Sequence, residues 1–535
     1  MRDFTGNPFV DAGMAGMCAA AGVDAPQRLD LQAVRRAVRV LYQVMLSDSA
    51  FVEKQPYKRF ATSTMAMMFP NSPLPQNSYP TPEKKREKYR ERIETLLSAL
   101  EENGQDVLGG DGPCFACGQP SAFLVGIDRF PLMSSGAQLN FHPMLTAGHR
   151  ICAFCALAVQ FLPFSVMQTK VEGGRLWFVH SADASLVVTI AQEYGLSHLQ
   201  ALVAAGEPLR FAGRWACSGE SGAIVSLLNE FGKTHARLLD RARYPVSVYI
   251  FSNDLREQYL RSVAVPHRLI EFFNALLLVS PSSRDRFERE VLRTPLGSVV
   301  AERMLHTQPI VAQCLQDTSM QLLGGWEFHR LYAQEVLGMN TKYIHTVQEV
   351  ASRLVGDEAG KKALNALRQA REQETFTVLI DMVRTGWMTR QDLHLLTPPG
   401  EPHLAAQARD YLLAAAYALQ SGDHLDLPPP GEQGAGAVHP LIARIEQVGE
   451  VLTEARDEAE RFRDALRQAQ RPQEIRRAFL RLLVVGHLRW GDFLFFCPPD
   501  DTNQHYQSRD YWLAFLYDRL RGEETNRERP FSEEV

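Results

Sequence analysis

Four of the chain's eight cysteines fall in two matched pairs, Cys114-Phe-Ala-Cys117 and Cys152-Ala-Phe-Cys155, separated by thirty-four residues. Each C-x2-C knuckle turns two sulfurs to one side. Two knuckles complete a tetrahedral four-thiolate site with metal–sulfur distances of about 2.3 Å. The pattern therefore requires residues 114–155 to close on one point. Gly118, directly after the first pair, relieves the backbone where it turns back. Donor type and spacing point to a structural Zn2+ held by Cys114, Cys117, Cys152 and Cys155. The insert exceeds that of a common zinc ribbon, so a small subdomain fits between the halves. His142 and His149 lie in the insert, where loop histidines are commoner than replacement ligands.

Three catalytic readings of the same cysteines fail or weaken. A zinc deaminase needs His-x-Glu upstream of P-C-x-x-C, yet the first histidine, His142, follows Pro113-Cys114. A thioredoxin-like motif needs one C-x-x-C in a βαβ setting. A catalytic zinc keeps one position open, which four thiolates close. The scattered Cys18, Cys217, Cys314 and Cys497 read as small buried hydrophobes. Nucleophile-elbow, phosphate-loop, dinucleotide and H-E-x-x-H signatures are absent, and Gly219-Glu220-Ser221-Gly222 has the wrong register for an elbow. The chain is expected to be a non-enzyme.

The 535 residues predict two to four domains, and 45% hydrophobic with 22% charged residues is globular composition. A net charge of -5 excludes a protein that coats nucleic acid by bulk charge. Local basic grooves remain open, because charge acts within about 8–10 Å in salt. The start, MRDFTGNPFVDAG, carries Asp3 and Asp11 where a signal peptide needs a basic and then apolar run. No apolar stretch reaches the roughly 20 residues of a membrane span. The expected location is cytoplasmic, without disulfides.

The expected fold class is α+β: an N-terminal mixed α/β module with an inserted four-cysteine zinc-ribbon-like segment, then a mainly α-helical C-terminal half. The expected parts are 1–113 (α+β), 114–155 (zinc-binding), 156–260 (strand-containing), 261–420 (helical), 421–438 (Pro/Gly-rich linker) and 439–535 (helical). Val34, Val38, Leu41, Val44 and Met45 share one helix face. Residues 70–82 form a Pro-rich loop, and a charged helix spans 83–100. Arg175–His180, Ser185–Ile190 and Pro245–Phe251 read as strands from their β-branched and aromatic content. From about Leu255 the pattern is helical. The order of elements shows no internal repeat.

Several strings, taken in order, resemble one family. They are Thr5-Gly6-Asn7-Pro8-Phe9-Val10-Asp11-Ala12-Gly13, Phe69-Pro70-Asn71-Ser72, the pair Cys114/Cys117, the run Ile151 to Pro163 (ICAFCALAVQFLP), and Gly174 to His180 (GRLWFVH). Over about residues 1–260 the chain resembles the large subunit of type I CRISPR interference (Cascade) complexes, of the I-A/I-B branch. The resemblance implies a non-catalytic subunit of a crRNA-guided effector in antiviral defence. Such a subunit recognises the protospacer-adjacent motif, helps open target DNA, and works with a separate helicase-nuclease. Implied partners are crRNA, target DNA, and the backbone, crRNA-processing and small subunits. Arginine-rich composition suggests the myxobacterial version, encoded within a CRISPR operon. That version implies an alternative role in fruiting-body development and sporulation.

That role can be placed on residues. Gly6 and Asn7 form a turn able to meet a base edge, or simply to cap a helix. Asn71 lies in the Pro-rich loop with the same choice. Lys84, Lys85, Lys88 and Arg92 form a helical basic stripe that could track phosphates, although Glu83, Glu87 and Glu91 also make it an ordinary solvated face. Lys233, Arg237, Arg241 and Arg243 form a second basic cluster. Arg476, Arg477 and Arg481 flank an apolar stripe and are candidates for single-strand contact.

Overall fold

Asn7 starts the first helix. Its side-chain oxygen accepts from the amides of Phe9 and Val10, and Pro8 fills the first helical position. Gly22 ends the helix in the left-handed conformation at φ 71°, and Val23 N–H bonds back to Cys18 O. The resulting α1 (Pro8–Ala21) is apolar on nearly every side and is buried almost throughout. Its glycines admit close neighbours. A Cβ on Gly13 would sit 2.3 Å from Ala158 O, and one on Gly16 would sit 2.4 Å from Phe161 O.

The computed structural model describes residues 3–54, 59–102, 112–121, 123–125, 129–132, 149–170, 174–240, 244–253, 258–356, 358–398, 401, 404–423, 425, 440–498 and 501–527. It divides into two compact units, Met1–Gln308 and Pro309–Val535. In the first unit α2 (Leu31–Met45) packs on α1 through the predicted face, with Val34, Val38, Leu41, Val44 and Met45 all buried. The charged helix is α3 (Pro82–Glu101). Strands β1 (Phe123–Val125) and β2 (His149–Ile151) pair antiparallel and lead into α4 (Ala153–Val159), which lies against α1.

Strands β3 (Met167–Gln168) and β4 (Leu176–Ser181) open a four-stranded antiparallel sheet of order β3-β4-β5-β6. Its other strands are β5 (Val246–Asn253) and β6 (Gln258–Val265). Two expectations need correction here. Ser185–Ile190 is not a strand but part of helix α5 (Ala184–Ile190). Asp183 caps it by accepting from Leu186 N, and Leu186, Val187 and Ile190 form its buried face. Packing and a cap override β-branched propensity. In the other direction, Gln258–Val265 is not helical but pairs along its length with β5, from Val246↔Val265 to Asn253↔Gln258. The remaining helices of this unit are α6 (Ser197–Ala204), α7 (Gly219–Asp240), α8 (His267–Val279), α9 (Pro281–Phe287) and α10 (Gly297–Leu305). Helices α8 and α10 pack on α7, so helical sequence to residue 305 belongs with the sheet-containing unit.

The second unit begins with α11 (Val311–Cys314), the hairpin β7 (Leu315–Gln316) and β8 (Gln321–Leu322), and α12 (Trp326–Leu331). Five helices follow: α13 (Thr341–Val355), α14 (Glu358–Gln369), α15 (Glu372–Thr385), α16 (Arg390–Leu396) and α17 (Leu404–Gln420). After a segment mostly outside the described residues come α18 (Pro440–Thr453), α19 (Arg456–Gln468), α20 (Pro472–Val484), α21 (Trp490–Phe496) and α22 (Thr502–Arg527).

These two sets of five are copies of one another, which corrects the expectation of no internal repeat. Fourteen of the fifty positions in 371–420 match 471–520, and many of the identities fall at the same joints. Glu374 and Glu474 accept from the amides of Arg371 and Arg471. Asp392 and Asp492 accept from those of Thr389 and Arg489. Gly386 and Gly486 turn out of the third helix at φ 87° and 86°. Arg409 and Arg509 each donate to the carbonyl closing the second helix, Ala370 and Ala469, at 3.0 Å.

Candidate metal centre and nucleic-acid surface

The four cysteines of the two knuckles come together. Their sulfurs all lie within 4.8 Å of one another, and Cys117 Sγ is 3.6 Å from Cys152 Sγ. A tetrahedral ion at 2.3 Å from each sulfur sets neighbouring sulfurs about 3.8 Å apart, so the donors fit a closed site. The local sequence explains the geometry. Cys114 N donates to Gln119 O and Gly118 N to Cys114 O, which closes the first knuckle, and Gly118 adopts φ 74°. Phe115 N donates to Arg150 O, tying this knuckle to β2. Cys152 caps α4 and its sulfur accepts from Cys155 N. Cys114, Cys152 and Cys155 are buried and Cys117 half-buried. Thiol hydrogen bonds from Cys152 and Cys155 hold the Cys114 thiol well below its ordinary range. The hydrogen bond to Cys114 pushes Cys152 up to about 12. Four sulfurs this close together are a donor set that a thiophilic cation would bridge. The His149 ring lies tilted against Phe115, at 5.5 Å between rings, and His142 lies outside the described residues.

The other cysteines are buried, and burial is the leading cause that raises their thiols, to about 12 for Cys18, Cys314 and Cys497 and about 11 for Cys217. Protonated and enclosed, they behave as small apolar side chains.

The Gly6 turn is locked from beneath. Asp11 is fully buried. Its carboxylate accepts from Thr5 N at 2.6 Å, Thr5 Oγ at 2.9 Å and Gly6 N at 2.9 Å, and lies 3.1 Å from His180 Nε2 on β4. Gly6 is exposed at φ 83° with open space where a Cβ would stand. Asn7 spends its side-chain oxygen on the helix cap. Asn71 is half-buried, and its carbonyl accepts from Gln76 Nε2.

The basic stripe on α3 is divided. Lys84 and Lys88 are at the surface and pair with Glu87 at 3.2 Å and Glu91 at 2.7 Å. Arg92 continues the stripe one turn on. Lys85 departs from the expectation: it is 7% exposed, and its ammonium donates to the carbonyls of Leu74 and Gln76 at 2.7 and 2.6 Å. Burial lowers its pKa. Lys85 therefore pins the Pro-rich loop to α3 and is withdrawn from phosphate contact. Lys85→Met is expected to leave both carbonyls without that donor and to cost about 1–3 kcal/mol. Urea unfolding of the first unit measures this, and an unchanged midpoint would contradict the pinning role.

Lys233 on α7 is likewise committed. It pairs with Glu288 at 2.8 Å and Glu230 at 3.3 Å, and Glu288 also receives Arg293 at 2.6 Å and Asn229 at 3.0 Å. Arg237 falls on α7 with its side chain outside the described residues, as are Arg241 and Arg243. Arg476 lies over the Phe493 ring at 5.6 Å, while Arg477 and Arg481 are exposed on α20.

A cleft of about 730 Å³ was not anticipated. Arg210, Arg214 and Arg293 line it together with His198, Trp215 and the carboxylates Glu230 and Glu288, the latter paired with Arg293. Trp215 donates to Gln168 O at 2.5 Å, which fixes the ring. The run Arg210-Phe-Ala-Gly-Arg214-Trp215 interleaves basic and aromatic residues, a pattern that was legible in the sequence. Among the described residues no helix is long and apolar enough to cross a membrane. No protein-family model, curated protein or solved structure matches this chain.

Proposed function

We propose that the chain is the non-catalytic large subunit of a crRNA-guided type I CRISPR effector. In this reading it recognises the protospacer-adjacent motif and helps open target DNA for a separate helicase-nuclease. One observation carries the reading most. The strings that resemble this family are far apart in sequence yet pack as one piece. Gly13, the last residue of the Thr5–Gly13 string, lies on Ala158 of the Ile151–Pro163 string, and Gly16, three residues further along the same helix, lies on Phe161. Asp11 lies against His180 of the Gly174–His180 string, and Phe9 meets Phe178 of that string edge to face at 5.2 Å between rings. Chance matches would have no reason to share one core.

The ion at the four cysteines is zinc, bound for structure, since four thiolates leave no open position. Its task is to fix β2 and α4 against α1, and so to hold the Gly6–Asn7 turn at the surface. Phosphate contact falls to cations such as the exposed Lys84 and the half-buried Lys88, whose surface pairs with glutamate are worth only about 0–1 kcal/mol and exchange readily. The cleft of Arg210, Arg214 and Trp215 suits a separated strand. Partner subunits and guide RNA supply the rest of the affinity, in keeping with the net charge of -5. The protein acts in the cytoplasm.

Purification of the tagged chain from its native cells tests this reading. Recovery with backbone and crRNA-processing subunits and a uniform repeat-derived RNA is expected. Recovery of the chain without RNA or those subunits would overturn it.

A further inference from the structure

The two helical modules meet head to tail. Helices α15 and α16 of the first receive α22 of the second. The rings of Phe376 and His394 lie 5.7 and 5.2 Å from Tyr511, whose hydroxyl donates to Thr397 O. Arg390 lies over Phe515 at 4.7 Å and pairs with Glu446 on α18 at 3.0 Å. On its other side the first module is closed, because α17 is packed by α11, the β7–β8 hairpin and α12. The order is cap, module, module. A head-to-tail contact joins two different faces, so the last module in such a series keeps its receiving face uncovered.

That face lies on α20 and α21. In the first module Ile380 and Val383 are buried, and Arg384, His394 and Leu395 half-buried. Their counterparts are more open: Leu480 and Leu483 are half-buried, Leu494 and Phe495 are 38% and 37% exposed, and Val484 is 84% exposed. Valine and leucine replace Arg384 and His394, so the uncovered face is more apolar than the covered one. An apolar patch of that kind marks an interaction surface. The flank also changes sign, because Arg477 and Arg481 stand where the first module has Thr377 and Asp381.

We propose that α20 and α21 receive an amphipathic helix of a separate protein, one that presents aromatic residues four apart, as Tyr511 and Phe515 do, and is acidic along its flanks. A second copy of this chain does not suit, because α22 is already engaged on α15 and α16 and the receiving flank is cationic. A nucleic-acid strand is disfavoured because most of the face, Leu480, Leu483, Val484 and Leu494, is aliphatic, with Phe495 its one aromatic among the described residues.

The probe is a labelled peptide of residues 502–527 carrying Arg519→Glu and Arg521→Glu, titrated into the full chain by fluorescence anisotropy. Binding is expected, with a loss of at least about tenfold (about 1.4 kcal/mol) in the Val484→Glu/Leu494→Glu variant. Both positions are exposed, and an unchanged melting curve would establish that this variant folds. Absence of binding, or binding indifferent to those substitutions, would overturn the proposal. So would equally tight binding of the unsubstituted peptide, since the cationic flank would then play no part. Displacement of the peptide by a (dT)20 oligonucleotide, with the same dependence on residues 484 and 494, would assign the face to nucleic acid instead.

Discussion

Cys155→Ala is expected to abolish metal binding and to destabilise the first unit more than any other single change considered. The wild-type chain is expected to carry about one zinc, as one four-thiolate site holds, and the variant close to none. Structural zinc contributes about 10–16 kcal/mol to the folding of small zinc domains. The first unit has a large core of its own, so only part of that is lost; about 4–6 kcal/mol is a reasonable scale. At about 2 °C per kcal/mol for a unit of this size, its melting point should fall by about 10 °C. The transition of the second unit should stay in place. Acid should act in the same direction, because protons compete with the ion for thiolate as pH falls. Plasma emission spectrometry with calorimetry decides the matter: a variant that kept its zinc and its melting point would refute a four-cysteine site. Cys314→Ala is the control, since that thiol is buried and isolated and should change metal content not at all.

Asp11→Ala is the second large effect. The buried carboxylate accepts three hydrogen bonds from Thr5 and Gly6 and lies beside His180. Its removal strands those donors under the surface turn. Breaking a buried charged cluster by deleting one partner costs about 3–5 kcal/mol. Asp11→Asn keeps one acceptor oxygen and should cost about 1–2 kcal/mol. The diagnostic is local. Hydrogen exchange at Gly6 and Asn7 should rise in Asp11→Ala well beyond exchange in α2, and uniform acceleration across the unit would argue that Asp11 has no special hold on the turn. Under the proposed function the same variant should weaken recognition of the adjacent motif while leaving assembly intact.

The four-cysteine cluster was legible because its information is local: two matched knuckles and a glycine after the first. The strands at 176–181 and 246–253 were legible for a similar reason, as short apolar runs bounded by turn residues. Other features needed information that periodicity does not carry. Ser185–Ile190 looks like a strand until Asp183 is recognised as a cap. Lys85 sits in a run of charges that suggests solvent, yet it faces inward because the proline-rich loop offers two carbonyls and lacks the amides to satisfy them internally. The repeated module was hidden by small register slips. Ile344 matches Ile442, Ala370 matches Ala469 and Arg371 matches Arg471, so the spacing drifts from 98 to 99 to 100 residues. Core positions drifted freely within hydrophobic limits, while several caps and the turn glycine kept their identity. Comparison at Arg371/Glu374, Gly386, Asp392 and Arg409-Asp410 would have exposed it.

The duplication also bears on the division of labour within the chain. The first unit carries every string of the family resemblance and the metal site. The second is a capped pair of helical modules.

Target-duplex binding by the purified RNA-containing assembly, prepared with and without this chain, is the most direct measurement. Without the chain, affinity for a matched target bearing the adjacent motif should fall at least tenfold, and the preference for that motif should vanish. Equal affinity and equal motif preference in the two preparations would contradict a recognition role for this protein.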